Sequence, residues 1–147
     1  METSVLRRLR DLPDFEVAAD NPDVRGWAVR GRDGQGLGTV FELIVDPEAL
    51  KVRYLDVELD ARFQTNEYAN HILLPIGVAS LDAEGDNVFV PALDAQSVRD
   101  YPPYTEIQIT RDYETAMLRA LGLEPVPNGD FYATPVHDAA AFYRGRH

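Results

Sequence analysis

The stretch "GRDGQGLGTVFELIVD", Gly31 to Asp46, places four glycines in eight residues directly before an apolar run. It reads either as a loop that cradles phosphate or as a tight turn between two strands. A dinucleotide loop spaces its glycines G-x-G-x-x-G and opens a helix, because the helix N-terminus holds the pyrophosphate. Here Gly34, Gly36 and Gly38 are spaced by two, and the following residues are β-branched and apolar. A Walker loop needs Lys and then Ser or Thr after its last glycine; Thr39 and Val40 stand there instead. Asp33-Gly34 supplies the positive φ of a hairpin turn, and Gly36 and Gly38 relax the adjoining strand end. The stretch is a hairpin.

Working outward, the neighbouring segments carry strand patterns. "GWAVRG" is a short one with Trp27 and Val29. In "KVRYLDVELD", Leu55, Val57 and Leu59 share one face and Tyr54, Asp56 and Glu58 the other. "HILLPIGVASLD" aligns Ile72, Leu74, Ile76 and Val78, with Pro75 placing the strand at an edge or a bend. "NVFVPAL" follows the turn "DAEGDN". Short strands separated by turn residues, without intervening long helices, predict an antiparallel meander or small barrel.

That core spans residues 25–104. Before it, residues 1–24 form a leader in which Thr3 or Ser4 caps a short amphipathic helix carrying Val5, Leu6, Leu9 and Leu12, ended by Pro13. After it, residues 105–147 form a C-terminal extension: a strand "TEIQIT", a helix "DYETAMLRALG" capped by Asp112 and stopped by Gly122, and an aromatic tail strapped across the body. The fold class expected is therefore mainly β, with a helical extension.

Composition narrows the function. The chain has 147 residues, 45% of them hydrophobic, enough for one packed domain. It contains no cysteine, which excludes disulfides, thiol nucleophiles and thiolate metal sites and fits a reducing, cytoplasmic setting. Acidic residues outnumber basic ones 25 to 14, a net charge of −11, which repels nucleic acid. No run approaches the roughly 20 apolar residues of a bilayer span, so no transmembrane segment is expected. His71, His137 and His147 lack ligand spacing, and His71 reads as a partly exposed edge residue. Ser80 and Ser97 lack a nucleophile context. No catalytic, metal or cofactor site is expected. Asp56, Glu58 and Asp60 alternate on one strand face, which reads as a solvated surface or as one that gathers protons or basic groups.

The ordered blocks "DVRGWAVRGRDGQGLGTVFELIVD", "VRYLDVEL", "HILLPIGVA" and "VFVPALDAQSVRDYP" resemble the PRC-barrel family, most of all the cytoplasmic part of photosynthetic reaction centre H subunits. The likeness runs from about Val17 to Pro135. It implies a small antiparallel β-barrel that docks or regulates and does not catalyse. It also implies that Asp56 and Glu58 stand where H subunits carry acidic residues that pass protons toward a quinone site. Such subunits have a membrane anchor; this chain has a short basic leader. The expectation is a cytoplasmic, non-enzymatic adaptor working through protein contacts, with no cofactor, as a homo-oligomer. Its interface is expected at Tyr101, Tyr104, Phe131, Tyr132, Phe142 and Tyr143. The alternative is an accessory subunit, peripheral to the membrane, that assists proton uptake by a membrane redox complex. A small-molecule or metal binder at the barrel mouth ranks third.

Overall fold

The computed structural model describes residues 6–11, 23–47, 51–63, 70–82, 85–104, 109–124, 135–137 and 139–144. Seven strands form one sheet: β1 (Arg7–Arg8), β2 (Ala28–Gly31), β3 (Gly36–Asp46), β4 (Lys51–Leu59), β5 (His71–Pro75), β6 (Ser80–Asp82) and β7 (Asn87–Val90). Their order is β5-β4-β3-β2-β7-β6, with β1 beside the far half of β3. The glycine stretch is the expected hairpin: β2 and β3 pair antiparallel, and Gly34 takes φ +80°. Asp33 Oδ1 accepts the backbone N–H of Gln35, closing the turn. One pair departs from an all-antiparallel barrel, because β2 and β7 run parallel.

The sheet is strongly bent. Its two outermost strands, β5 and β6, are joined in sequence by residues 76–79 alone. A flat six-strand sheet would hold them about 24 Å apart, farther than five residues reach at about 3.5 Å each. The ladder is nevertheless not closed by hydrogen bonds. The concave face carries Val29, Val40, Leu43, Leu55, Val57, Ile72, Leu74, Leu81 and Val88, all buried. The exposed edge of β5 is occupied by residues 101–104: Tyr104 N–H donates to the His71 carbonyl at 2.7 Å, and Tyr101 Oη to that of Leu73 at 2.6 Å.

The convex face corrects the sequence reading. Tyr54 and Asp56, assigned to a solvated face, are buried, as are Leu55 and Val57 opposite them. Both ends of the chain fold back onto the sheet, and the C-terminal one covers Tyr54. The leader does not form the expected helix; Arg7 and Arg8 pair with Val45 and Ile44, and residues 9–11 make a single 3-10 turn. A helix that short is marginal alone, and the ladder satisfies the otherwise open edge of β3. From the other end come helix α1 (Arg111–Ala120), the 3-10 turn at residues 135–137, and helix α2 (Ala139–Arg144), which packs on β4 and β6. Thr110, not Asp112, caps α1, its Oγ1 accepting the Tyr113 N–H at 3.2 Å, and Gly122 ends it at φ +77°. Strand "TEIQIT" up to Gln108, Phe131, Tyr132 and His147 lie outside the described residues.

The four described aromatics of the expected interface pack onto the chain itself. Tyr101 and Phe142, expected at an interface, belong to the chain's own core, and Tyr104 and Tyr143 are half-buried against it. Aromatic rings bury large areas, and here the nearest apolar surface is the barrel itself.

Candidate functional site

The convex face of β3, β4 and β5 carries two buried carboxylates, Glu42 and Asp56. Strand register places Glu58 opposite His71 and Asp56 opposite both Leu73 and Glu42. The register slips between Val40 and Glu42, a β-bulge at Phe41 that puts it beside Glu42 on the same face. Glu42 turns in: its Oε1 accepts the Leu43 N–H at 2.9 Å and faces Arg25 Nη1 at 3.4 Å. Phe41 turns out and is 41% exposed, the one large hydrophobic exposed among the described residues.

His71 links the two carboxylates that the sequence singled out. Its Nδ1 lies 2.7 Å from Asp56 Oδ1, and its Nε2 lies 3.8 Å from Glu58 Oε2. Asp56 is buried, whereas half of the Glu58 side chain meets solvent. The Phe41 ring stands edge-on to the imidazole at 4.9 Å between centroids. Burial, reinforced by the Asp56 charge, pushes the nearby Tyr104 hydroxyl above its ordinary range. The His71 ring therefore joins a buried carboxylate on its Nδ1 side to a half-exposed one on its Nε2 side. An imidazole between two carboxylates, one inside and one at the surface, is an arrangement that can pass a proton between surface and interior.

A second constellation lies beneath the extension. Tyr54 Oη donates to Glu114 Oε2 at 2.7 Å and contacts His137 Nε2 at 2.9 Å, which therefore carries the proton it donates. Arg53 Nη1 donates to the His137 carbonyl at 3.0 Å while its Nη2 faces Asp46 Oδ2 at 3.6 Å, and Arg111 Nε donates to Glu114 at 3.3 Å. Tyr54, Glu114 and His137 are each sealed from solvent. The trio clamps α1 and the 135–137 turn to β4. Sequence reasoning missed it, although one signal existed. Glu114 precedes Met117 and Leu118 by three and four residues, which sets a carboxylate on the apolar stripe of α1.

At the hairpin tip, a groove of about 580 Å³ is lined by Gly31 to Gly34, Ser80, Phe89 and Pro91. Beside it Asp94 accepts the N–H groups of Ser97 and Gln96 and the Arg32 guanidinium at 2.5 Å, contacts that hold its carboxyl at about 2. A folded value below the unfolded 3.8 stabilises the fold above that pH, and the gain is lost as pH falls from 3.8 through about 2. Across that window the melting temperature of Asp94→Asn should fall less steeply than that of the native chain. Equal slopes would remove Asp94 from the acid response.

The sequence model of the PRC-barrel domain matches residues 17–96, more than half of the chain. The chain belongs to the PRC-barrel domain family. No curated protein matches it in sequence. Phe41, Asp56, Glu58 and His71 all lie inside the matched PRC-barrel region, whereas Glu114 and His137 lie beyond it. The clamp therefore joins the PRC-barrel to a part of the chain outside the family match. No helix among the described residues is long and apolar enough to cross a membrane.

Proposed function

We propose that this PRC-barrel chain works by contact with another protein, as an adaptor or regulatory module without catalytic chemistry of its own. The observation that carries this reading is Phe41. A bulge holds its ring out into solvent, while Tyr101 and Phe142 fold onto the body. An exposed ring fixed by backbone geometry is the kind of anchor that interfaces use. Resemblance to reaction centre H subunits, which cap membrane partners, supports the same reading. The test is capture of the tagged full chain from its native cells, with its mass in solution measured by light scattering. A stoichiometric protein partner or a stable homo-oligomer is expected. A monomer that captures nothing from soluble or membrane fractions would overturn the proposal.

A second reading, proton delivery to a membrane redox complex, is favoured by the Asp56–His71–Glu58 series, which runs from a buried carboxylate to an exposed one. It predicts recovery with that complex, and slowed proton-coupled turnover when Asp56 is replaced by Asn.

A further inference from the structure

Two arginines meet at one phenyl ring beside the β2–β3 hairpin. Arg62 lies in the 3-10 turn Ala61–Phe63 that follows β4, closed by the Phe63 N–H donating to the Asp60 carbonyl at 2.9 Å. Arg99 lies in the 3-10 turn Ser97–Asp100, pinned by Asp94, which accepts the Ser97 N–H at 2.8 Å. The Arg62 guanidinium stands 4.6 Å from the centre of the Phe63 ring, and that of Arg99 stands 5.1 Å from it. Arg62 Nη2 donates to the Gly36 carbonyl at 2.5 Å, and Arg99 Nη1 reaches the Arg62 carbonyl at 3.5 Å. Each guanidinium commits one nitrogen in this way and keeps two for a ligand. Both side chains are exposed, whereas the ring they share is buried. Long stems over an aromatic ring keep it dry, which accounts for the stacking. It does not account for the charge. The chain carries 25 acidic residues, and Arg8, Arg25, Arg32 and Arg53 each face one of its carboxylates. Among the described residues, Arg62 and Arg99 meet carbonyl oxygens instead, although Asp60 and Asp100 stand beside them in sequence.

We propose that Arg62 and Arg99, spread on Phe63, form a receptor for a phosphoryl group carried by a side chain of a partner protein. At neutral pH such a group brings a charge of about −1.5 to −2 and three strong acceptor oxygens, a match for two permanently charged forks. A carboxylate brings one charge and satisfies one fork. The two guanidinium carbons lie no farther apart than the sum of their distances to the ring centre. A small rotation of either exposed side chain lets one tetrahedral group meet both. Stacking on a buried ring restrains the side chains before the ligand arrives, which lowers the entropic cost of binding. The net charge of −11 argues against extended polyanions such as nucleic acid or an anionic membrane surface. It leaves room for one compact anion, whose charge acts within a Debye length of about 8 Å. Arg62 lies within the PRC-barrel match and Arg99 beyond it, so the receptor joins the barrel to the segment that follows. The assignment rests on the reading of the chain as a contact module and names the chemistry that the partner presents.

The experiment is an NMR titration of the isotopically labelled full chain with a glycine–serine octapeptide carrying one phosphoserine. Matched peptides with glutamate or serine at that position, and inorganic phosphate alone, serve as comparisons. The phosphopeptide is expected to shift the Nε–H signals of Arg62 and Arg99 and the amides of their two turns. The serine peptide should shift neither, and the glutamate peptide should bind at least about fivefold more weakly. Arg62→Gln and Arg99→Gln should each weaken binding about tenfold, the usual loss of a charge-assisted pair. Arg62→Lys, which keeps the stem on the ring and the charge but not the fork, should fall between. Lys51→Gln, which removes an exposed positive charge at the other end of β4, should change binding less than about twofold. Both arginines are exposed, and an unchanged amide spectrum verifies the fold of each variant. Equal weakening by Lys51→Gln, or equal binding of the glutamate peptide, would overturn the proposal. The first would assign binding to the diffuse field and the second to any carboxylate. Inorganic phosphate that binds as tightly as the phosphopeptide would overturn the partner as its source. A chain that captures a protein partner but ignores the phosphopeptide loses this assignment alone; one that captures nothing loses the contact reading itself.

Discussion

Gly38→Ala should cost on the order of 3 kcal/mol of stability, or prevent recovery of folded protein altogether. A Cβ built at Gly38 would stand 2.1 Å from the Glu58 carbonyl oxygen and 3.0 Å from Leu59 Cα. Both are backbone atoms of β4, so no side chain can rotate away to make room. Relief requires parting β3 from β4, the longest ladder among the described residues. Gly36, two residues earlier, is the control: its nearest neighbour would be Asp60 Oδ2 at 3.8 Å, ordinary contact with a mobile group. Urea unfolding of the two alanine variants decides the matter. A shared midpoint would show that the strands can separate locally at little cost.

Tyr54→Phe should cost about 2–3 kcal/mol, because one lost hydroxyl takes a hydrogen-bond partner from two buried groups at once. The Glu114 carboxylate loses a donor, and the His137 Nε2–H loses its acceptor. The same substitution at Tyr143 provides contrast. That hydroxyl is buried with no hydrogen-bond partner among the described residues, and burial pushes it up to about 12. Tyr143→Phe should therefore be neutral or slightly stabilising, since it removes a polar group that the fold has already desolvated. Comparable losses in the two variants would mean that the Tyr54 cluster contributes packing only.

The hairpin and the strand pattern were legible because local chemistry decides them. Asp33-Gly34 needs its turn, and the alternation of Leu55, Val57 and Leu59 survives as the concave face. The family could likewise be read from the order of its blocks. The convex face was not legible. Tyr54 and Asp56 alternate with apolar residues just as a solvated face would, and what buries them comes from segments about fifty residues or more away in sequence. Period-2 patterning reports which residues share a face, not whether another element covers it. The bulge escaped for a related reason. It places Phe41 and Glu42 on one face, and nothing in "TVFELIVD" marks where the pleat is interrupted. Asp56 and Glu58 were singled out from the sequence, but His71, which bridges them, was set aside for want of a neighbouring ligand. The bridge needs only the β4–β5 register, and that pairing is visible only in three dimensions.

The parallel pairing of β2 with β7 has a consequence for how the chain acquires its fold. Hairpins β2–β3 and β3–β4, and the pairing of β4 with β5, join segments close in sequence and can form as soon as their residues meet. The β2–β7 ladder instead joins residues 28–31 to residues 87–90, so the whole meander must be threaded before it closes. Non-local closure of this kind slows folding, so β6 and β7 are expected to dock after the hairpins. During synthesis the hairpins therefore emerge before the strand that completes them, and the far edge of β2 stays open until residues 87–90 have been made.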